Sequence, residues 1–217
     1  MKILEKEDEE IFIINKPSGL AVQGGEKISH SLDKDLEVQV GYKVYLVHRL
    51  DKDTAGLIIV AKSPFYANKW TKLISSKSIK KEYLAICCGS LTEKKGIISE
   101  DVIQHGQVKK AITHFFVEKQ WNVNIDNQNF QFSLIRLVLE TGRMHQIRIH
   151  LSKSSCPIVG DDKHGNFKFN KKIRKLFGKK MMLCSNKLTI KSADGNDIVL
   201  TIPLPDYMNK IINSIKE

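Results

Sequence analysis

Hydrophobic and polar residues alternate along the chain in short blocks, and these blocks predict more strands than helices. Apolar runs rich in β-branched and aromatic residues predict strands at 11–14, 57–61, 81–86 and 132–139. Two further segments, 97–103 and 111–117, are expected to pair around His105-Gly106-Gln107. The polar, Asn-rich stretch 121–129 is interpreted as an exposed hairpin loop.

Apolar residues at helical spacing predict a smaller number of helices. Leu32, Leu36 and Val40 indicate a short helix within 29–40, and Pro64 is a suitable first residue for the next one. That next helix is expected to bury the apolar face formed by Phe65, Trp70, Leu73 and Ile74. A third helix is predicted from Thr141, as N-cap, to Leu151. Two more are predicted, one ending at the C-cap Gly178 and one beginning near Asp206.

The predicted elements define an α+β fold with a mostly antiparallel sheet. A length of 217 residues is enough for one substantial core, so a single domain covering 1–217 is expected. The four cysteines form no Cys-x-x-Cys pair and are expected to be reduced and structural. His145 and His150 do not have the spacing of a helical metal site, so a zinc site is not expected.

The charge of the chain indicates a polyanionic partner. The net charge is +11 and the pI is about 9.4, which favours nucleic acid. Between Lys163 and Lys191 there are ten cationic residues and no acidic one, so this segment is the best candidate for a surface that follows phosphates. No apolar run approaches the roughly 20 residues of a membrane-spanning helix. The acidic N-terminus does not resemble a signal peptide, so a cytoplasmic protein is expected, and a monomer is favoured.

The densest group of titratable residues lies at 48–56, in His48-Arg49-Leu50-Asp51-Lys52-Asp53-Thr54-Ala55-Gly56, directly before an apolar strand. Asp51 has cationic neighbours that favour its ionised form. It is therefore a candidate nucleophile, base or salt-bridge partner, although a polar turn is the favoured interpretation when this stretch is taken alone. A second candidate group follows Thr141, where Arg143 near a predicted helix start suggests an anion to be bound.

Four motifs together resemble the RluA-type family of RNA pseudouridine synthases. They are HRLDKDTAGLIIVAK from His48, NKPSG at 15–19, KEYLAI at 81–86 and TGRMHQIRIHL at 141–151. The resemblance extends from Asn15 to about Pro205. It implies the pseudouridine synthase fold, with a large mixed, mostly antiparallel sheet, flanking helices and a central basic cleft. It also implies conversion of uridine to pseudouridine in structured RNA without a cofactor.

The resemblance assigns roles to individual residues. It implies that Asp51 is the essential aspartate, that Arg148 pairs with it, and that Tyr83 lies against the target base and can take its C5 proton. It also implies that Arg49 enters the RNA stem when the target nucleotide leaves, and that Leu183 lines the base pocket. The other substrate-binding candidates are His48, Thr54, Arg143, His145 and Lys16. Lys16 is either solvated or in contact with a phosphate.

Four questions stay open from the sequence. The branch that acts on large-subunit ribosomal RNA is favoured, but Lys163-His164-Gly165 and Ala111-Ile112-Thr113-His114 also resemble the branch that acts on transfer RNA. A non-catalytic ribosome-assembly protein would explain the charge equally well, although it has no need of Asp51, Tyr83 and Arg148 together. The identity of the modified uridine, and whether Asp51 acts as nucleophile or base on the sugar, are not determined.

Overall fold

The structure is a computed structural model that describes residues 4–25, 29–191 and 196–214. The chain divides into two units. The first consists of residues up to Lys81 together with Ser185–Ile202, and the second of Glu82–Cys184 together with residues from Pro203 onward. The predicted single domain 1–217 stays a prediction. Ile215, expected from its spacing to lie on the packed face of the final helix, lies outside the described residues. So does Ser192-Ala193, where the family resemblance implies a His-Pro turn that this sequence lacks.

The first unit is built on an antiparallel group of strands. Its elements are β1 (Leu4–Glu7), β2 (Ile11–Lys16), α1 (Leu32–Val40), β3 (Tyr45–Leu46), β4 (Ala55–Ala61) and α2 (Pro64–Ser75). The strand β11 (Leu183–Ile190) lies next to β4 and pairs with β12 (Ile198–Thr201). β4 is buried along its whole length because both of its faces are covered. This burial explains its unbroken apolar sequence.

The second unit contains the longest hairpin of the protein. Its strands follow the order β5 (Ile79–Cys88), β10 (Gln128–Leu139), β9 (Ile112–Ile125) and β6 (Lys95–Ser99), with antiparallel pairing throughout. A separate two-stranded ribbon is formed by β7 (Val102–Gln104) and β8 (Gln107–Lys109). The helices are α3 (Gln146–Lys153), α4 (Phe167–Phe177) and α5 (Asp206–Asn213). The α+β class and the mostly antiparallel pairing are confirmed.

The prediction of an exposed loop at 121–129 is wrong. β9 continues to Ile125, and the turn consists of Asp126 and Asn127, both with positive φ, as in the tight turns preferred by two-residue hairpins. Trp121 is buried and stacks on Phe132, with ring centroids 5.9 Å apart. Exposed asparagines alternate with less exposed apolar residues along the end of β9. The asparagines dominate the composition of this stretch, and they therefore concealed the strand pattern in the sequence.

Other boundaries also differ from the predictions. The pairing of 97–103 with 111–117 holds only for β6, because residues 102–109 form the separate β7–β8 ribbon. Phe65 is exposed, whereas Trp70 is buried in α2 as predicted and donates its indole N–H to Glu10. All four cysteines are free thiols, as predicted.

Candidate active site

The candidate residues from the sequence fall into two groups, one in each unit. Lys16, His48, Arg49, Asp51 and Thr54 belong to the first unit. Tyr83, Arg143, His145, Arg148 and Leu183 belong to the second. The approach of Asp51 to Tyr83 and Arg148 stays a prediction from the family resemblance.

In the first unit, the loop that carries Asp51 is fastened to the turn after β2. The backbone N–H of Gly19 donates to the Lys52 carbonyl at 2.9 Å, and the Ser18 hydroxyl donates to the Asp53 carbonyl at 2.8 Å. Within the loop, the N–H of Thr54 donates to the carbonyl of Asp51 at 3.1 Å. The loop is therefore held by hydrogen bonds on both sides of Lys52, with the Asp51 side chain partly exposed beside it.

Lys16 is part of this attachment. Its ammonium group donates to the carbonyls of Pro17, Leu20 and Lys52 at 2.8–2.9 Å, and the residue has 0% exposure. Burial lowers its pKa to about 8, against the opposing influence of the carboxylates of Asp53 and Asp51. The interpretation of Lys16 as a solvated lysine is wrong, because all three donors are used by backbone oxygens. A phosphate contact stays a prediction.

His48 is held as a neutral imidazole. Its Nε2 accepts the backbone N–H of Ile59 at 3.0 Å, which places the proton on Nδ1. Burial, together with the charge of Lys81, lowers the pKa of His48 to about 3. The buried Nδ1 has no hydrogen-bond partner within the described ranges. His48 therefore contacts the middle of β4 and cannot serve as a cation for phosphate at neutral pH.

The remaining residues of the loop differ in exposure. Arg49 is exposed, so its side chain can reach a large ligand, whereas Thr54 is buried directly before β4.

The backbone of β4 approaches β11 closely at Gly56. Gly56 has a φ of 109°, and a Cβ there would lie 2.2 Å from the carbonyl oxygen of Ser185. Glycine is required because only its lack of a side chain permits this close approach of the two backbones.

In the second unit, Arg148 is bound by an aspartate that the sequence analysis did not single out. Nε and Nη2 of Arg148 donate to Oδ2 and Oδ1 of Asp161, each at 2.8 Å, in a bidentate salt bridge. Arg148 is 7% exposed and Asp161 is 1% exposed. Burial raises the pKa of the Asp161 carboxyl, but the Arg148 hydrogen bond and the N–H groups of His164 and Lys163 outweigh it and lower that pKa overall.

A histidine pair connects this loop to the start of α3. Nδ1 of His145 and Nε2 of His164 are 2.9 Å apart and share a hydrogen bond. At least one of the two imidazoles must be neutral, since an N–H has to meet a ring lone pair. The loop 161–165 therefore contacts the start of α3 at His145 and its first turn at Arg148.

The segment before α3 is arranged around a buried glutamine rather than a helix cap. Oε1 of Gln146 accepts from the Thr141 hydroxyl and from the N–H of Arg143, while Nε2 donates to Ile112 and Thr113. The helix begins at Gln146 and His145 is its N-cap, so the prediction of Thr141 as N-cap is wrong. Arg143 is exposed in the preceding loop, where its Nε donates to the Lys110 carbonyl.

Tyr83 and Leu183 are both buried on strands. Tyr83 is 5% exposed and lies opposite Leu137, in a stretch of β5 whose register with β10 is continuous over seven pairs. Leu183 is 3% exposed at the start of β11. A side chain on a paired strand is held more rigidly than one on a loop. Packing of Tyr83 and Leu183 against a base stays a prediction from the family resemblance.

Asp161, His164 and Gln146 are the residues that sequence reasoning missed. A signal for Asp161 was present, because an acidic residue follows the apolar pair Ile158-Val159 after a single glycine. The sequence does not reveal its role, because its partner Arg148 is 13 residues away. Among the described residues, no cluster of three or more His, Cys, Asp or Glu side chains is suited to holding a metal ion. No helix in the described ranges is long and apolar enough to cross a membrane.

Comparison with known proteins identifies the family. The profile of the RNA pseudouridylate synthase family matches residues 10–153, and the chain belongs to this family. It is 34% identical to the ribosomal large subunit pseudouridine synthase C of Rickettsia bellii, over 94% of this chain and 69% of that protein. It is 31% identical to the synthase D of Buchnera aphidicola from Acyrthosiphon pisum, over 96% of this chain and 72% of that protein.

Solved structures agree with the fold. Human RNA Pseudouridylate Synthase Domain Containing 4 superimposes with a TM-score of 0.76 at 22% identity, covering 97% of this chain and 91% of the human one. Human RNA Pseudouridylate Synthase Domain Containing 1 gives the same TM-score and identity, covering 95% and 86%. The pseudouridine synthase fold predicted from the four motifs is therefore confirmed.

Proposed function

We propose that the protein isomerises specific uridines to pseudouridine in structured RNA, and that its substrate is 23S ribosomal RNA. The observation that carries this proposal is the match to ribosomal large subunit synthases at 34–36% identity over 93–95% of the chain. Family membership supports the reaction, and the names of these relatives support the class of RNA. We also propose that the enzyme is a monomer and acts in the cytoplasm.

The reaction conserves every atom of the nucleotide. The bond between C1′ of the ribose and N1 of uracil breaks, the base turns, and a new bond forms between C1′ and C5. The proton on C5 leaves, and N1 gains one, so no oxidant, reductant or second substrate is consumed. The chain must therefore supply groups that assist bond cleavage, hold the detached base and accept a proton.

In this proposal Asp51 assists cleavage, either as a nucleophile toward the sugar or as a base that removes a proton from it. The loop supports either role, because hydrogen bonds from Gly19, Ser18 and Lys16 fix the backbone around Lys52 while leaving the Asp51 side chain partly exposed. A preorganised carboxylate loses little conformational entropy when the substrate binds. Positioned groups lower the activation barrier of a reaction in this way.

Tyr83 and Arg148 act on the base and the carboxylate in the same scheme. The buried ring of Tyr83 offers an apolar face to uracil and a hydroxyl to the C5 proton. Arg148 supplies positive charge from a side chain held by Asp161. In this scheme the positive charge of the guanidinium favours the ionised form of Asp51.

In this proposal the exposed side chain of Arg49 occupies the space that the target nucleotide leaves when it is extruded from the stem. Taking a base out of a stem costs a few kcal/mol, because stacking and pairing are lost. An inserted cationic side chain fills the vacated space and approaches the phosphates. Arg49 is exposed immediately before the buried Leu50, so its backbone is anchored while its side chain is accessible.

The test is tritium release from RNA that carries 5-tritiated uridine, since formation of the C1′–C5 bond displaces the hydrogen at C5. Unmodified 23S rRNA transcripts and bulk transfer RNA transcripts are compared at equal uridine concentration. Release from the rRNA alone is the expected result. Release from transfer RNA alone would replace the proposed substrate class, and release from neither, with RNA binding intact, would favour an assembly protein.

A further inference from the structure

The helix α4 presents a row of three cationic side chains to solvent. Lys168, Lys171 and Lys175, here called the outer lysines, are all exposed. Their spacing of three and four residues places them on one side of the helix. At 1.5 Å per residue the row is about 10 Å long, so a nucleic-acid backbone running along it presents several phosphates.

The outer lysines carry charge that the protein does not neutralise. Arg174 forms a salt bridge with Asp162, and Lys172 lies over the ring of Phe130 and donates to Gln128. No ion pair involves an outer lysine in the part of the chain that the structure describes. α4 itself contains no acidic residue. A solvated helix face normally mixes charges of both signs, so this one is suited to an anionic partner.

The apolar side of α4 is firmly packed, so the row of lysines has a fixed position within the second unit. Phe169 and Ile173 are buried, and the Phe169 ring lies against Phe130 and Phe132 with centroids 5.0 and 5.6 Å away. The central apolar residues of α4 therefore face inward, whereas a helix that lies on a bilayer turns its apolar face outward. Phe167 and Leu176, near the two ends of α4, are exposed, so vesicle binding is measured beside RNA binding.

A polar contact joins α4 to the loop that binds Arg148. Asn170 is 1% exposed, its Oδ1 accepts the N–H of Gly160, and its Nδ2 donates to the carbonyl of Asp161. Both bonds are 2.9 Å long. One face of α4 is therefore bound to the backbone that holds Asp161, while the opposite face carries the outer lysines.

We propose that the outer lysines bind the phosphate backbone of the RNA substrate outside the target nucleotide and so dock the RNA on the second unit. This inference rests on the proposed function for the identity of the polyanion. The surface contributes affinity and placement, and none of its lysines takes part in bond cleavage. Because Asn170 fixes α4 to the Asp161 loop, RNA held there has a fixed position relative to Arg148.

The test is a triple substitution of the outer lysines by glutamine, compared with a control in which Lys94, Lys95 and Lys119 are changed to glutamine. The control lysines are also exposed in the second unit and change the net charge equally. A third protein, with arginine at the three outer positions, retains the charge. Binding of a short RNA duplex without unpaired uridines is measured over a range of salt concentrations, and tritium release from 23S rRNA transcripts gives kcat and KM.

The glutamine variant is expected to bind the duplex roughly tenfold to a hundredfold more weakly, and the slope of log affinity against log salt should fall by about 2 to 3. Its KM should rise while kcat stays unchanged, and the control and arginine variants should resemble the wild type. Duplex affinity equal to that of the wild type would overturn the proposal. So would a loss confined to binding of vesicles containing phosphatidylserine, which would indicate a membrane partner.

The duplex measurement separates this inference from the proposed function. If the wild type released no tritium but its duplex affinity depended on the outer lysines, the reaction would be rejected and the docking surface retained. If tritium release from rRNA were normal and the glutamine variant matched the wild type in affinity, KM and salt slope, the docking surface alone would be rejected.

Discussion

Arg148 and Asp161 form a bidentate salt bridge in which both side chains are almost completely buried. The N–H groups of Lys163 and His164 donate to Oδ1 of the same carboxylate, at 3.0 and 2.9 Å. One aspartate thus shapes its own loop and orients an arginine on α3. The position of Arg148 depends on a residue that lies 13 positions further along the chain.

Replacing Asp161 by asparagine should destabilise the protein and inactivate it. Asparagine can still accept the loop N–H groups, but it leaves the buried Arg148 without a counter-charge, and breaking a buried pair typically costs about 3–5 kcal/mol. Urea denaturation measures the loss of unfolding free energy. Asp162→Asn is the matched control, because Asp162 is exposed and its partner Arg174 is only part-buried. Its expected loss of unfolding free energy is at most about 1 kcal/mol.

Equal stabilities of Asp161→Asn and Asp162→Asn would show that the salt bridge does not stabilise the fold. The activity measurement is made under conditions in which both variants are folded, as judged by circular dichroism. Folded Asp161→Asn with the kcat of the wild type would contradict the positioning of Arg148 by this aspartate.

Replacing Lys16 by methionine should destabilise the first unit without changing the salt dependence of RNA binding. The substitution removes the donor shared by three carbonyls, and each unsatisfied buried group costs about 1–3 kcal/mol. Unfolding in urea is expected to show a total loss of roughly 3 kcal/mol, since partial hydration relieves some of this cost. Lys52→Met is the control, because the Lys52 side chain is exposed and only its backbone carbonyl takes part.

The salt slope of RNA binding decides between the two roles of Lys16. A phosphate contact would lower the slope by about 0.7–0.9 when it is lost. A folded Lys16→Met protein with such a lowered slope and unchanged stability would show that Lys16 binds substrate.

The buried imidazole of His48 should make the protein less stable in acid. Its pKa of about 3 in the folded chain lies below the ordinary value of 6.5, so the unfolded chain binds the proton more readily between these limits. The stability provided by neutral His48 is complete above pH 6.5 and is lost as the pH falls toward 3. Denaturation curves of the wild type and of His48→Gln, collected across this range, test the effect.

The comparison between the two proteins removes the contribution of other acidic and basic groups. The unfolding free energy of the wild type, relative to that of His48→Gln, should decrease steadily from pH 6.5 downward. A difference that stays constant over this range would show that His48 titrates normally in the folded protein.

Sequence reasoning predicted the elements whose patterns are local. The unbroken apolar sequence of β4, the spacing of Phe169 and Ile173 in α4, and Gly178 at its end each reflect contacts within one element. α4 begins at Phe167 with the Asn166 side chain as its cap and ends at Gly178 with a φ of 82°. Propensity and capping act over a few residues, so these features were visible in the sequence.

Features set by partners distant in sequence were not predictable in the same way. Gln146 is buried because it bonds to Ile112 and Thr113 on β9, and those bonds replace the helix start expected at Thr141. Lys16 is buried because three carbonyls converge on it, one of them 36 residues away. In both cases tertiary hydrogen bonds determine where the polar side chain lies, and they override the local sequence pattern.

The most direct test of the central claim is tritium release from 23S rRNA by Asp51→Asn and Asp53→Asn side by side. Both carboxylates lie in the same loop and both favour the charged form of Lys16, so the two substitutions remove equivalent charge. We expect Asp51→Asn to bind the RNA and release no tritium, while Asp53→Asn retains turnover. Turnover by Asp51→Asn at the rate of the wild type would contradict the assignment of this loop as the catalytic site.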